Sequence, residues 1–206
     1  MKKEHDLDLI QRITDNYFFW QGYRLVPFGI VFLMFAVIFL DPKWLPDSDW
    51  ITQGLPMTVL LISLFTYSKI GKYYHNHFGN VRGIPNKHSA RDAIKWFIFY
   101  PALGIGLLID YKFRFPVFVS CLAAAASIIG YWWSTGKGRE HYLVASAAMA
   151  ISAFLPTLEI VTNWKYMYAV FFGGLGIIYV VGGLLDHLAL TRVFKQPEFD
   201  EEGKSI

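Results

Sequence analysis

The chain has 206 residues, of which 54% are hydrophobic, 18% aromatic and 17% charged, and a formal net charge of +3. That is too apolar for an ordinary soluble domain of this length. Its single cysteine, Cys121, excludes a disulfide framework and a multi-cysteine metal site within one chain.

The first twenty residues carry Glu4, Asp6, Asp8 and Asp15. This is not the cationic and then apolar pattern of a cleavable signal. Leu7, Ile10, Ile13, Tyr17 and Trp20 instead recur at helical spacing. They predict an amphipathic helix over 1–22, lying on the inner leaflet with its apolar face in the acyl boundary or packed on a cytoplasmic loop.

Beyond it, the segments 25–40, 50–68, 96–109, 115–136, 141–158 and 166–185 contain no Asp, Glu, Lys or Arg. A membrane span needs about 20 mostly apolar residues at 1.5 Å rise each. The shortest segment, 96–109, reaches that length when extended to 93–111, with Lys95 snorkelling and Asp110 at the outer interface. The expected fold is an all-α integral membrane protein. Six transmembrane helices fill 23–190, the amphipathic helix 1–22 precedes them, and a polar tail, 191–206, follows.

Lys and Arg gather in cytoplasmic loops, so their distribution sets the threading. Six spans with both termini cytoplasmic place the N-terminus, the loop 69–95, Lys137 with Arg139, and the tail inside. Only Lys43, Lys112, Arg114 and Lys165 then fall outside. In the first outer loop Trp44 and Trp50 read as interface anchors. The loop 69–95 is the most basic stretch, with Lys69, Lys72, Arg82, Lys87, Arg91 and Lys95 against Asp92. Its cations mixed with Tyr73, Tyr74 and Phe78 suit anionic lipid headgroups or a protein partner, and Lys72, Arg82, Lys87, Arg91 and Lys95 are the candidate contacts. Nucleic acid fits poorly, because the loop is short and tethered to the bilayer.

Ala123–Ala126 and Ser127, then Ala145–Ala148, Ala150, Ser152 and Ala153, make the fourth and fifth spans rich in small residues that favour close helix contact. In the last span Gly173, Gly176, Val180 and Gly183 form one smooth stripe, read as a helix-packing face. The same face continues to Asp186 and His187. With His75 and His77 these two supply donors for a divalent metal, provided the His-x-His stretch is extended so that both rings share a side. No cofactor is otherwise implied.

No phosphate-binding loop, nucleophile elbow or H-E-x-x-H motif is present. No charge stands at the middle of any expected span, which argues against a pump with central acids. The layout resembles that of ABC-2-type permeases in its flat N-terminal helix, six spans and sizeable second-span loop, although no motif is shared and the outer loops are shorter. Three functions follow, in order. The first is a non-catalytic membrane subunit or regulatory protein that docks a cytoplasmic or membrane partner, or a second copy of itself, through the basic loop. The second is a small-solute transporter, and the third an inner-face enzyme with a histidine metal site. The expected location is a cell membrane, multi-pass, in the style of a bacterial inner membrane.

Overall fold

The computed structural model describes residue 17, residues 20–40, 48, 50, 54–78, 88–113, 115–135, 139–161 and 163–194. For 88–100, 134, 135 and 193 it describes the backbone alone. The expected helix over 1–22 therefore lies outside the described residues, apart from Tyr17 and residues 20–22. The loop centre 79–87 and the tail from 195 lie outside them as well.

The described residues are helical, with no strand. A 3-10 turn, Gly22–Arg24, leads into α1 (Val26–Leu40). There follow α2 (Leu55–Phe78), α3 (His88–Phe113), α4 (Val119–Thr135), α5 (His141–Ser152) and α6 (Trp164–Phe194). These six helices overlap the six charge-free segments. The gap 96–109 sits inside the 26-residue α3, so its length understates that of the helix. By length and apolar composition together, however, only Gly22–Leu40 and Trp164–Arg192 qualify among the described residues as helices able to cross a membrane. The shorter apolar helices Val119–Trp133 and His141–Ser152 do not.

Successive helices alternate in direction. Trp20, the end of α2, Arg139 and the end of α6 meet at one end of the bundle. Phe39, Asp110, Phe118, Ala153 and Tyr168 meet at the other, where Phe118 N–H donates to the Ala153 carbonyl at 2.8 Å and Tyr168 OH to that of Leu107 at 3.2 Å. The most extensive packing joins the first helix to the last, and α2 flanks α1. On the other side α5 packs on α6, α4 on α5 and α3 on α4. The small residues of α4 and α5 thus seal those two helices together, with Ser146 Oγ donating to the Ala125 carbonyl at 2.8 Å. The α1–α6 pair holds the middle.

That pair approaches so closely because of glycine. A Cβ added to Gly22 would lie 1.9 Å from the Gly183 carbonyl oxygen, and one added to Gly176 would lie 2.9 Å from that of Gly29. Backbone has nowhere to go at such distances. Further along the same antiparallel seam Gly173 faces Ala36, and then Phe39 stacks on Phe172 with centroids 5.5 Å apart.

The other turns are closed by local chemistry. Asp110, at the end of α3, accepts the N–H groups of Val119 at 2.7 Å and Ser120 at 2.8 Å. One carboxylate thereby satisfies two of the orphan donors that open α4, where the helix dipole also favours it. The turns that follow α5 close in a Schellman motif, with Ile160 N–H on the Leu155 carbonyl at 3.2 Å and Glu159 N–H on that of Pro156 at 3.0 Å. Glu159 occupies its left-handed position, at φ 56°.

Replacing Gly22 with Ala should force the α1–α6 seam apart and cost roughly 1–3 kcal/mol. Gly104 and Gly130 have nothing within 4 Å of an added Cβ. Ala at either should stabilise its helix by about 0.5–1 kcal/mol. Thermal unfolding in a mild detergent separates these outcomes, and equal behaviour of Gly22→Ala and Gly104→Ala would show that the seam does not hold the bundle.

Candidate functional site

An arginine and an aspartate, both wholly removed from solvent, face each other where α6 passes the α4–α5 connection. Arg139 precedes α5 and is 0% exposed, as is Asp186 in α6. Arg139 Nε donates to Asp186 Oδ1 at 2.8 Å, and Nη2 donates to Oδ2. This two-pronged geometry suits a planar guanidinium and not an ammonium. Tyr142, one helical turn on from Arg139, donates its hydroxyl to Asp186 Oδ2 at 2.9 Å.

Rings enclose the cation. The guanidinium carbon lies 4.7 Å from the centroid of Tyr131, 4.9 Å from Tyr142 and 5.1 Å from Trp20. Each ring offers a negative face to the charge, an attraction that grows as water is excluded. Burial works against the charge on Arg139. The neighbouring Tyr131, Asp186 and the hydrogen bonds to Asp186 outweigh it, and the pKa is raised above the ordinary guanidinium value. Arg139 therefore stays cationic at every accessible pH. His141 Nε2 lies 3.4 Å from Asp186 Oδ1, within ion-pair range but without hydrogen-bond geometry.

A second cluster adjoins the first through the Asp186–His187 step. Tyr74 OH lies 2.8 Å from His187 Nδ1 and accepts the Tyr23 N–H at 3.2 Å. The His187 ring stacks on Tyr23 at 3.6 Å between centroids. Tyr17 OH donates to the Tyr74 carbonyl at 3.1 Å. Together with Trp20, these bonds pin the segment before α1 onto α2, α6 and the α4–α5 connection. Trp20 is 2% exposed, so its indole faces protein and not lipid.

The four residues considered for a metal are distributed differently. His75 and His77 are exposed and lie within α2, where side chains two apart diverge. The extended stretch that the metal reading requires is thus replaced by helix. The His77 ring rests on Tyr73, with centroids 4.3 Å apart. Asp186 is bonded to Arg139, and His187 to Tyr74. Among the described residues no three His, Cys, Asp or Glu side chains converge as metal ligands would.

Of the candidate contacts in the basic loop, Lys72 is exposed on α2. Arg82 and Lys87 lie outside the described residues, and Arg91 and Lys95 fall in the first two turns of α3, where only backbone is described. Gly173, Gly176 and Gly183 line the seam with α1.

Sequence reading counted Arg139 among the loop cations and missed its burial. One signal was available. Asp186 is the only acid in α6, and an acid in so apolar a helix calls for a cationic partner.

Asp186→Asn keeps the shape but leaves a buried guanidinium without its counter-charge. It should cost about 3–5 kcal/mol, whereas Tyr142→Phe, which removes one hydrogen bond to the carboxylate, should cost about 1–3 kcal/mol. Unfolding midpoints of the two variants test this order, and a neutral Asp186→Asn would contradict it. No protein-family model, curated protein or solved structure matches the chain, so its chemistry is read from its own residues.

Proposed function

We propose that the chain is a multi-pass membrane protein, its six helices threaded with both termini cytoplasmic, and that it acts as a non-catalytic subunit or regulatory protein. The observation that carries this reading is how charge is sorted. The bundle end that gathers Trp20, Tyr74 and Arg139 also holds Arg24, Lys69, Lys72 and Arg192, and the basic stretch 79–95 continues from it. Lys112 and Lys165 stand at the opposite end.

Two further features support it. Large apolar side chains stand exposed along the flanks, among them Leu61, Ile62 and Phe65 on α2, Ile105 and Leu108 on α3, and Val144 and Ile151 on α5. Contiguous apolar flanks of this kind suit lipid better than water. Several hydroxyls within the helices bond to helix backbone, Ser127 Oγ to the Ala123 carbonyl of its own helix at 2.6 Å and Ser146 Oγ to the Ala125 carbonyl of α4, which spares them an unmet need in hydrocarbon.

The buried polar groups favour a scaffold over a reaction centre. Asp186 is engaged by Arg139 and Tyr142, and His187 by Tyr74. Each bond ties one element to another. The cationic end is then the surface that meets a partner, with Arg82, Lys87 and Arg91 in the lead.

Two measurements test the proposal. A cytosol-dependent fluorescent reporter should glow when fused after Phe194 and stay dark when fused after Asp47. The chain, solubilised gently, should carry a partner in fixed stoichiometry that is lost when Arg82, Lys87 and Arg91 are all changed to Glu. A dark fusion at Phe194 would overturn the threading, and a lone chain across several mild detergents would overturn the subunit role.

A further inference from the structure

The hydroxyl of Tyr74 has one proton to give and one place to give it. Tyr74 is 0% exposed. Its oxygen accepts the Tyr23 N–H at 3.2 Å, and its other hydrogen-bond partner among the described residues is His187 Nδ1 at 2.8 Å. A buried hydroxyl is rarely left without an acceptor. Nδ1 is therefore the acceptor, and the proton of the neutral imidazole stands on Nε2. With the proton on Nδ1 instead, the oxygen would accept twice and its own hydrogen would be stranded.

That bond holds more than two side chains. Tyr74 receives the segment before α1 twice, its hydroxyl taking the Tyr23 N–H and its carbonyl the Tyr17 hydroxyl at 3.1 Å. The Tyr23 ring lies on the imidazole with centroids 3.6 Å apart. Trp20, from the same segment, shares a buried cluster with Tyr74 and Leu190 and covers the Arg139 guanidinium. Around the imidazole stand Tyr23 from this segment and Tyr74 and Tyr73 from α2, with His77 resting on Tyr73. Asp186 precedes His187 on α6 and is engaged by Arg139 and Tyr142, while His141 approaches its Oδ1 from α5.

We propose that His187 is a proton-operated latch on the segment before α1. With Nδ1 bare, it accepts the Tyr74 hydroxyl, and the segment stays closed on α2 and α6. A proton taken from water at Nδ1 makes the ring a cation with two donors and no acceptor. The Tyr74–His187 bond is then lost, the hydroxyl proton is stranded, and the segment loosens, carrying Trp20 away from Arg139. Closing expels a proton from Nδ1. The closed form is therefore favoured as pH rises, and gives way as pH falls below the ordinary imidazole value of about 6.5. The latch rests on bonds within the chain and does not depend on the membrane reading.

The test follows hydrogen exchange at the Tyr23 amide, in the full chain in mild detergent, between pH 7.5 and 5.5. Each rate is divided by that of an unstructured peptide of the same sequence at the same pH. Opening should rise about tenfold as pH falls across that range, the response of one proton on a group titrating near 6.5. His187→Asn keeps an acceptor in place of Nδ1 and takes no proton, so the segment should stay closed at both ends of the range. Tyr74→Phe should open it throughout and remove the pH dependence. His141→Gln should leave that dependence intact. A wild-type chain indifferent to pH, a response that persists in His187→Asn, or one lost in His141→Gln overturns the latch. Nitrogen-15 NMR of the histidine rings needs no variant that folds: at pH 8 the ring in contact with Tyr74 should carry its proton on Nε2, and a proton on Nδ1 overturns the proposal.

Discussion

A guanidinium withdrawn from water keeps its charge only if its surroundings replace what hydration supplied. Around Arg139 that replacement comes from four places in the chain, Asp186 in α6, Tyr142 in α5, Tyr131 in α4 and Trp20 before α1, whose close packing keeps water out. Coulomb attraction at this separation is strong in a low dielectric and weak in water. The pair therefore rewards the arrangement that seals it. An element that moves away from Arg139 exposes the charge and loses its share of that attraction, so the ion pair couples the position of the N-terminal segment to those of three helices.

The glycine seam makes this possible. Asp186 lies three residues beyond Gly183, and Gly183 touches Gly22, two residues after Trp20. Close approach of the first and last helices thus brings the segment before α1 to the carboxylate, with van der Waals contact between bare backbones as its chief attraction. The Tyr74–His187 bond and the stacking of Tyr23 on His187 extend the same junction to α2. At the far end the carboxylate of Asp110 plays a local part, closing the α3–α4 hairpin. Two buried acids thus have different tasks, one binding distant elements and the other capping a helix.

Much of this plan was legible in the sequence. Charge-free runs marked the helices, because a side chain that needs water cannot sit among apolar neighbours. The spacing of Gly173, Gly176 and Gly183 marked one face of α6, since residues three and four apart share a side. What stood against that face was not legible, as periodicity within one helix carries no information about its partner. The Arg139–Asp186 pair spans 47 residues, and one chain offers several cations for that acid. His75 and His77 misled for a related reason: their spacing suits a metal only in extended backbone, and the local sequence continues α2 as helix. Trp20 read as part of an apolar helix face that could meet either the acyl boundary or protein, and its burial against the Arg139 cation shows that it meets protein.

The functional reading joins these features to a membrane setting: apolar flanks, cations collected at one end, and polar interior groups committed to holding elements together. Its structural core is the claim that Arg139 and Asp186 act as one unit. A double-mutant cycle with Arg139→Met, Asp186→Leu and the two combined, read by unfolding in mild detergent, tests that claim most directly. The account predicts that the combined variant is more stable than Asp186→Leu alone, with a coupling on the order of 2–3 kcal/mol. Additive losses would mean that the two charges stand independently, and would contradict it.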